Sequence, residues 1–242
     1  MLALFLTAAL AAPPESTLTW DLSVGGAPVG TRTVTVRVLP GANGTRRIIE
    51  AFTEINGRVG PIDLSFRQRL TGNAEGGSPA SFHSVIDDNG SASEVQGRWT
   101  PGGWIVSTNL GGRARSADYP ISRIDLSTVD LMDPESRVGF GSQRETVRML
   151  SAITGEVQTG PVASLGSSEV LVNGTPVPVE GFSWTSPEGK ANFYFSTEGY
   201  LVKYETHVMG IALNGILRKA PPGGIDDFPV AVGRPSVEVL PL

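Results

Sequence analysis

The residues that could support catalysis or bind a metal are few and scattered. The chain of 242 residues contains two histidines, His83 and His207, and no cysteine. A metal site needs several converging ligands, and neither an H-x-H pair nor an H-E-x-x-H motif occurs in the sequence. The lack of cysteine excludes disulfides, thiolate catalysis and cysteine-ligated metals. We therefore predict no metal and no other cofactor, and we interpret both histidines as structural residues of strands.

A serine hydrolase is the least favoured interpretation, because its motif is missing. The nucleophile elbow G-x-S-x-G lies between a strand and a helix. The nearest match, Gly76-Gly77-Ser78-Pro79-Ala80, lies instead in a glycine-rich loop. A catalytic triad would require His83 or His207 to meet an acid and a hydroxyl in a single cleft. We predict that the protein is not an enzyme.

Two pairs of carboxylates, Asp87-Asp88 and Asp226-Asp227, are candidates for glycoside hydrolysis or calcium binding. Adjacent residues of a strand point to opposite faces, so the first pair is poorly placed to share a site. It also precedes Asn89-Gly90, a turn sequence in which aspartate is favoured for backbone reasons. The second pair lies in a Pro/Gly-rich tail. We interpret both pairs as structural.

The composition indicates a globular, mildly acidic protein. Hydrophobic residues make up 40% of the chain, charged residues 18%, and the net charge is −5. A mildly acidic protein with scattered basic residues has no electrostatic reason to bind nucleic acid or an anionic membrane. We therefore predict no nucleic-acid partner.

The N-terminal segment Met1–Ala12 is apolar and contains Ala9-Leu10-Ala11, which resembles a signal-peptidase site. It is too short to span a bilayer as a helix, and no other segment is long and apolar enough to do so. We interpret residues 1–12 as a signal peptide and predict a periplasmic or secreted protein with no transmembrane anchor. A wrongly assigned start codon and a retained amphipathic arm are the alternatives, because the segment lacks Lys and Arg.

The elements that would position any site are strands. In Thr17–Val24, apolar residues alternate strictly with polar ones, which is the pattern of a half-buried strand. Gly25-Gly26 interrupts this pattern, and Val34, Val36 and Val38 then resume it, as expected for a hairpin. Similar alternating runs, separated by turn sequences such as Asn89-Gly90 and Asn173-Gly174, continue to Lys219.

These runs predict an all-β fold: a single curved antiparallel sheet, either a half-barrel or a barrel-like meander, with one short helical insert. We assign residues 13–220 to this domain and residues 221–242 to a Pro/Gly-rich tail. The insert lies near residues 119–142, where Ser122 and Asp125 could open a short helix that Pro134 would end. This insert could separate two subdomains, but one continuous sheet is our preferred interpretation.

Several turn motifs resemble those of a family of secreted bacterial domains of unknown function, which is similar in outline to the lipoprotein carriers LolA and LolB. The motifs are Gly25-Gly26-Ala27-Pro28-Val29-Gly30-Thr31-Arg32, Asp87-Asp88-Asn89-Gly90, Val170-Leu171-Val172-Asn173-Gly174 and the strand pair from Phe193 to Lys203. The resemblance implies an antiparallel half-barrel around a hydrophobic core or cavity. It implies no catalytic residues.

Two functional hypotheses follow. The protein is either a carrier that holds a lipid, an acyl chain or another hydrophobic small molecule in its curved sheet, or a filled scaffold that binds an envelope protein. The candidate ligand-lining residues are large aromatic side chains on predicted apolar faces or beside a turn. They are Trp20, Phe66, Trp99, Trp104, Trp184 and Tyr204.

Overall fold

The computed structural model describes residues 15–42, 44–75, 78–132, 145–208 and 211–219. The interpretations of Met1–Ala12, of Asp226-Asp227 and of the tail 221–242 fall outside the described residues, as does the expected helix end at Pro134. Those interpretations stay predictions.

The described residues form fifteen strands joined by short turns, which confirms the all-β prediction. The strands are β1 (Glu15–Val24), β2 (Ala27–Gly41), β3 (Gly44–Val59), β4 (Ile62–Glu75), β5 (Ser78–Asp88), β6 (Ser91–Thr100), β7 (Gly103–Leu110), β8 (Arg113–Pro120), β9 (Leu126–Ser127), β10 (Thr146–Leu150), β11 (Val157–Val172), β12 (Thr175–Ser186), β13 (Gly189–Ser196), β14 (Leu201–Val208) and β15 (Ile211–Lys219).

The strands belong to one sheet with two arms. One arm runs in order from β1 to β8, the other from β15 back to β9, and β1 pairs with β15 where the arms meet. All pairings are antiparallel except the short contact between β9 and β10, which is parallel. The predicted single curved antiparallel sheet is therefore confirmed.

Period-two patterning and turn chemistry explain why these segments become strands. In β4, Leu64, Phe66 and Leu70 are buried, and the residues between them are exposed. The turns at Asn89-Gly90 and Asn173-Gly174 have φ values of 50° and 82° in each case. Such left-handed pairs match the twist of the flanking strands in a hairpin. The predicted hairpins at both places are confirmed.

The described part of the insert, residues 121–132, packs against the inner face of the first arm. Within these residues the helical character is limited to two single 3₁₀ turns, Ile121–Arg123 and Asp130–Met132. Val129, Leu131 and Met132 are buried, and Cγ1 of Val129 lies 2.7 Å from where a methyl group on Gly72 of β4 would stand. The insert therefore fills space over the inner face of the sheet.

Asp125 does not cap a helix, because its carboxylate is bound by Arg148 of β10. The backbone N, Nε and Nη2 of Arg148 donate to Asp125 over 2.8 to 2.9 Å, and Nη1 donates to the carbonyl of Ser122. Hydrogen bonds between charged groups are among the stronger ones in proteins. They fix the start of the insert against the second arm.

Strand β8 is the strand that the sequence patterning misses. Its residues are mostly exposed, and the sequence RARSADYP has no apolar alternation. It pairs with β7 and stands at one end of the strand order. An edge strand with solvent on both faces carries no period-two signal, since neither face must be apolar.

The tips of β11 and β12 fold back over the second arm. Val170 and Val172 of β11 are buried together with Val177 and Val179 of β12, and Nδ2 of Asn173 at the turn donates to the carbonyl of Arg218 on β15. This second layer covers part of the arm from outside.

The close contact between Phe82 and Gly97 allows the packing of the inner face to be tested by substitution of Gly97. A methyl group at Gly97 would stand 2.1 Å from Cε1 of Phe82, so Gly97→Ala forces the ring out of its position. We expect Gly97→Ala to lower the free energy of unfolding by about 1–3 kcal/mol, as overpacking does. Urea unfolding measures the change.

Gly102→Ala is the matched control for Gly97→Ala. The nearest atom to its new methyl group is Oγ1 of Thr100 at 3.9 Å, so we expect a change within about 0.5 kcal/mol. Equal stabilities of the two variants would contradict the packing described here.

Candidate functional site

Two regions of the protein could bind a ligand: the lumen inside the curved sheet and the outer face of the first arm. The lumen contains all six aromatic residues that the sequence suggests as ligand-lining. Trp20, Phe66, Trp104, Trp184 and Tyr204 are buried, and Trp99 is partly buried against the same core.

Hydrogen bonds fix two of these tryptophans as parts of the core. Nε1 of Trp20 donates to the carbonyl of Leu201 at 3.1 Å, and Nε1 of Trp184 donates to the carbonyl of Val147 at 3.2 Å. Buried indole N–H groups normally find such partners. Both side chains therefore join strands of the sheet, which is a structural role.

Trp104 and Trp99 form an aromatic cluster with Phe82. The ring centroids of Phe82 and Trp104 are 5.4 Å apart, and those of Trp99 and Trp104 are 5.7 Å apart in an edge-to-face arrangement. Rings at these distances attract one another beyond simple burial. The cluster closes the inner face of β5, β6 and β7.

Phe66 borders a small cavity of about 10 Å³. Its lining is apolar, with Ile55, Leu64 and Leu213 among the neighbours. A volume of this size corresponds to about one water molecule. An acyl chain does not fit there.

The inner face also carries polar side chains, the half-buried Arg32 and the buried Gln68 and Ser84, that have partners there. Nη2 of Arg32 lies 3.2 Å from Sδ of Met132, and its guanidinium carbon lies 5.9 Å from the ring centre of Tyr204. Burial raises the pKa of the Tyr204 hydroxyl, and the positive charge of Arg32 partly opposes this rise. Nε2 of Gln68 donates to Oγ of Ser84 at 2.9 Å. These contacts make the lumen a packed core with its own polar network.

A groove of about 560 Å³ crosses the outer face of β3 to β7. Sites for small ligands usually have volumes of about 300–1,000 Å³. The side chains that line the groove are mainly polar, with two isoleucines among them. They belong to Arg46, Ile48, Thr71, Asn73, Ser81, His83, Gln96, Arg98, Ile105 and Ser107.

Strand register brings these side chains together in two rows across the sheet. One row pairs Ile48 with Asn73, Asn73 with Ser81, Ser81 with Arg98 and Arg98 with Ile105. Side chains directly opposite on neighbouring antiparallel strands lie on the same face.

The second row of the groove crosses β4 to β7. It pairs Thr71 with His83, His83 with Gln96 and Gln96 with Ser107. The alternating outward residues of five consecutive strands therefore form one continuous surface.

The groove contains two arginines, and Glu75 of β4 lies directly opposite one of them, Arg46. Within the described ranges, the guanidinium groups of Arg46 and Arg98 form no ion pair with a carboxylate. Elsewhere on the same arm, Arg37 pairs with Glu50 and Arg67 pairs with Glu54. The two unpaired arginines can therefore bind anions.

A histidine–carboxylate pair lies at the side of the groove. Nε2 of His83 and Oε1 of Glu94 are 2.7 Å apart, and Nε2 of Gln96 donates to the same oxygen at 2.7 Å. The hydrogen bond from Gln96, followed by that from His83, holds the pKa of Glu94 below its ordinary value of 4.5. The pair orients His83 and Gln96 along the groove.

The groove brings a histidine, an acid and several hydroxyls together, as a hydrolase requires, but it lacks the bond between base and nucleophile. In the described part of the chain, the hydrogen bonds of His83 reach Glu94 and no hydroxyl. Oγ of Ser81 instead accepts from Nδ2 of Asn73 at 2.8 Å. His207 lies outside the groove, with Nδ1 3.3 Å from the carbonyl of Lys190.

The paired carboxylates Asp87 and Asp88 serve the turn that follows them. Oδ1 of Asp87 accepts from the backbone N of Gly90 at 2.9 Å, and Oδ1 of Asp88 accepts from Nδ2 of Asn89 at 3.0 Å. This confirms the structural interpretation of that pair. No group of three or more potential metal ligands among His, Asp and Glu occurs within the described residues.

The fold and the groove define a β-barrel-like protein whose described aromatic side chains pack in the core and whose outer face carries a groove. The chain belongs to the family of the domain of unknown function DUF6134, whose model matches residues 20–217. No curated protein matches it.

One solved structure similar to this chain is that of a beta-barrel-like protein of the domain of unknown function DUF1849 from Brucella abortus. The TM-score is 0.54 at 10% sequence identity, over 87% of this chain and 98% of that chain. At this identity the likeness concerns the fold alone. Of the helical segments described, none has the length and apolar character needed to cross a bilayer.

The hydrogen bonds to Glu94 generate a pH-dependent prediction. Removal of a donor, in Gln96→Leu or His83→Ala, should raise the pKa of Glu94 toward 4.5, because each donor stabilises the charged carboxylate. Carboxyl titration by NMR measures the pKa. His207→Ala is the control and should leave it unchanged.

The sign of the corresponding stability effect is fixed by linkage. Because the pKa of Glu94 is lowered on folding, these bonds stabilise the folded protein above the unfolded pKa, and the contribution is lost as the pH falls through the folded pKa. An unshifted Glu94 in the unsubstituted protein would contradict the geometry.

Proposed function

We propose that this protein is a non-catalytic binding scaffold of the bacterial cell envelope that binds its ligand on the outer face of the sheet. The observation that carries the proposal is the filled lumen. The insert Val129–Met132 and the buried aromatic side chains occupy the space that a carrier would keep empty.

The carrier hypothesis requires an apolar volume of several hundred Å³, since ligand sites of drug size occupy about 300–1,000 Å³. The interior cavity beside Phe66 has about 10 Å³. The groove outside has about 560 Å³, and its lining mixes polar side chains with apolar surface. The two volumes favour binding on the outer face over a carrier with an interior site.

The lack of a base–nucleophile bond supports binding over hydrolysis. His83 is held by Glu94, but a triad also needs a hydroxyl within hydrogen-bond reach of the imidazole. Lack of p-nitrophenyl acetate turnover above a His83→Ala background is the outcome that agrees with a binding role, whereas His83-dependent turnover would contradict it.

Uptake of a fluorescent fatty-acid probe tests where the ligand binds. We expect no saturable uptake by the full chain, because the lumen is filled by side chains. Phe66→Ala is the matched control, since it enlarges the cavity beside Phe66 and shows whether an opened lumen gives a detectable signal. Saturable uptake by the unsubstituted protein would favour the carrier and refute the outer-face proposal.

The envelope location is part of the same proposal and rests on the apolar segment Met1–Ala12. We expect an epitope-tagged full chain expressed in a Gram-negative bacterium to appear in the periplasmic or secreted fraction. Deletion of residues 2–12 should retain the protein in the cytoplasm. An identical distribution of both forms would refute export through this segment.

A further inference from the structure

We propose that the outer groove of β3 to β7 binds an acidic saccharide. Arg46 and Arg98 bind its carboxylate or phosphate groups, and the amide and hydroxyl side chains between them bind its sugar hydroxyls. The inference rests on the proposed function in one respect, namely that the outer groove is the binding surface.

The two arginines of the groove supply positive charge for an anionic ligand. The protein has a net charge of −5, yet two arginines of one groove have no ion-pair partner within the described ranges. An exposed guanidinium presents a planar set of donors that matches a carboxylate or a phosphate with two parallel hydrogen bonds. The groove thus offers two anion sites.

The two arginines lie on strands that are well separated in the sheet. Arg46 lies on β3 and Arg98 on β6, with β4 and β5 between them. Three strand spacings correspond to roughly 14 Å. An extended molecule with more than one anionic group can contact both arginines at once, so the spacing favours such a ligand.

Amide and hydroxyl side chains line the groove between the two arginines. Asn73, Ser81 and Gln96 line this stretch, and Asn73 donates to Ser81. Gln96 uses Nε2 to bind Glu94, which leaves its Oε1 as an acceptor. Amides and hydroxyls both donate and accept, and sugar hydroxyls do the same, so the groups are complementary.

Two isoleucines complete the match. Ile48 and Ile105 are partly buried and line the groove at either end of one row. They offer apolar contact to the C–H groups of a sugar ring. A lining that combines arginines, amides and hydroxyls with apolar surface offers partners to both the hydroxyl groups and the C–H groups of a saccharide.

Other extended anions fit the groove less well. A peptide that adds a strand needs a free sheet edge, whereas β3 to β7 each pair with neighbours on both sides. A nucleic acid needs many phosphate contacts and aromatic side chains on which bases stack. The one aromatic residue at the groove, Phe82, packs its ring against Trp104 on the inner face.

Calorimetric titration of the full chain tests the proposal with three probes: trigalacturonic acid, its methyl-esterified form and mannose 6-phosphate. Binding of trigalacturonic acid that weakens with added salt, without binding of the neutral ester, is the expected result for a carboxylate ligand. Mannose 6-phosphate carries a single anionic group, so we expect it to bind about tenfold more weakly than trigalacturonic acid, and equal or tighter binding would overturn a site that uses both arginines.

Substitutions locate the site. We expect Arg46→Gln and Arg98→Gln each to weaken binding about tenfold, because each removes a charge-assisted pair. Arg69→Gln is the matched control, since Arg69 is an exposed residue of β4 on the same face and does not line the groove. Circular dichroism of each variant confirms that it is folded.

The outcomes separate this inference from the proposed function. Failure of all the acidic probes to bind would overturn the saccharide inference, and so would equal binding by the variants of Arg46, Arg69 and Arg98. The proposed function is judged separately by fatty-acid uptake. If the lumen takes up no lipid and the groove binds no saccharide, only the present inference fails.

Discussion

The pairing of β1 with β15 is the constraint on which the rest of the structure depends. It joins two arms, each of which is a meander of local hairpins. Trp20 strengthens the junction by donating to Leu201, which is 181 residues away in sequence. Contacts of such long range carry a loop-closure cost in folding, so the burial around them must offset it. Contacts such as the hydrogen bond from the Tyr119 hydroxyl to the carbonyl of Gly155 connect the arms a second time.

The joined arms create a concave inner face, and the chain fills that face with its own residues. Trp20, Tyr204 and the insert around Val129 pack inside, and the polar groups of Arg32 and Gln68 find partners there. These contacts leave the described inner side chains packed against one another. The proposed binding surface lies on the outer face, where the strand register aligns a set of polar side chains.

Much of the fold is predictable from the sequence because burial imposes a period of two. Leu64, Phe66 and Leu70 predict β4, and Asn89-Gly90 predicts the hairpin of β5 and β6. Strand β8 is not predicted from the sequence, because neither of its faces is apolar. The inner positions of Arg32 and Gln68 are not predicted either. A polar residue on the inner face interrupts the alternation of apolar and polar residues from which that face is predicted.

The groove could not be predicted for a different reason. Arg46, Ser81 and Arg98 each have the appearance of ordinary solvent-facing residues, and only the pairing register shows that they share one surface. Alternation states which face a residue occupies, but it does not state which residue of the next strand lies opposite. In this register Phe82 packs against Trp104 on the inner face of the sheet, and its neighbours Ser81 and His83 lie on the outer face. Because a slip of one residue would exchange the two faces, the packing of the core holds the groove in place.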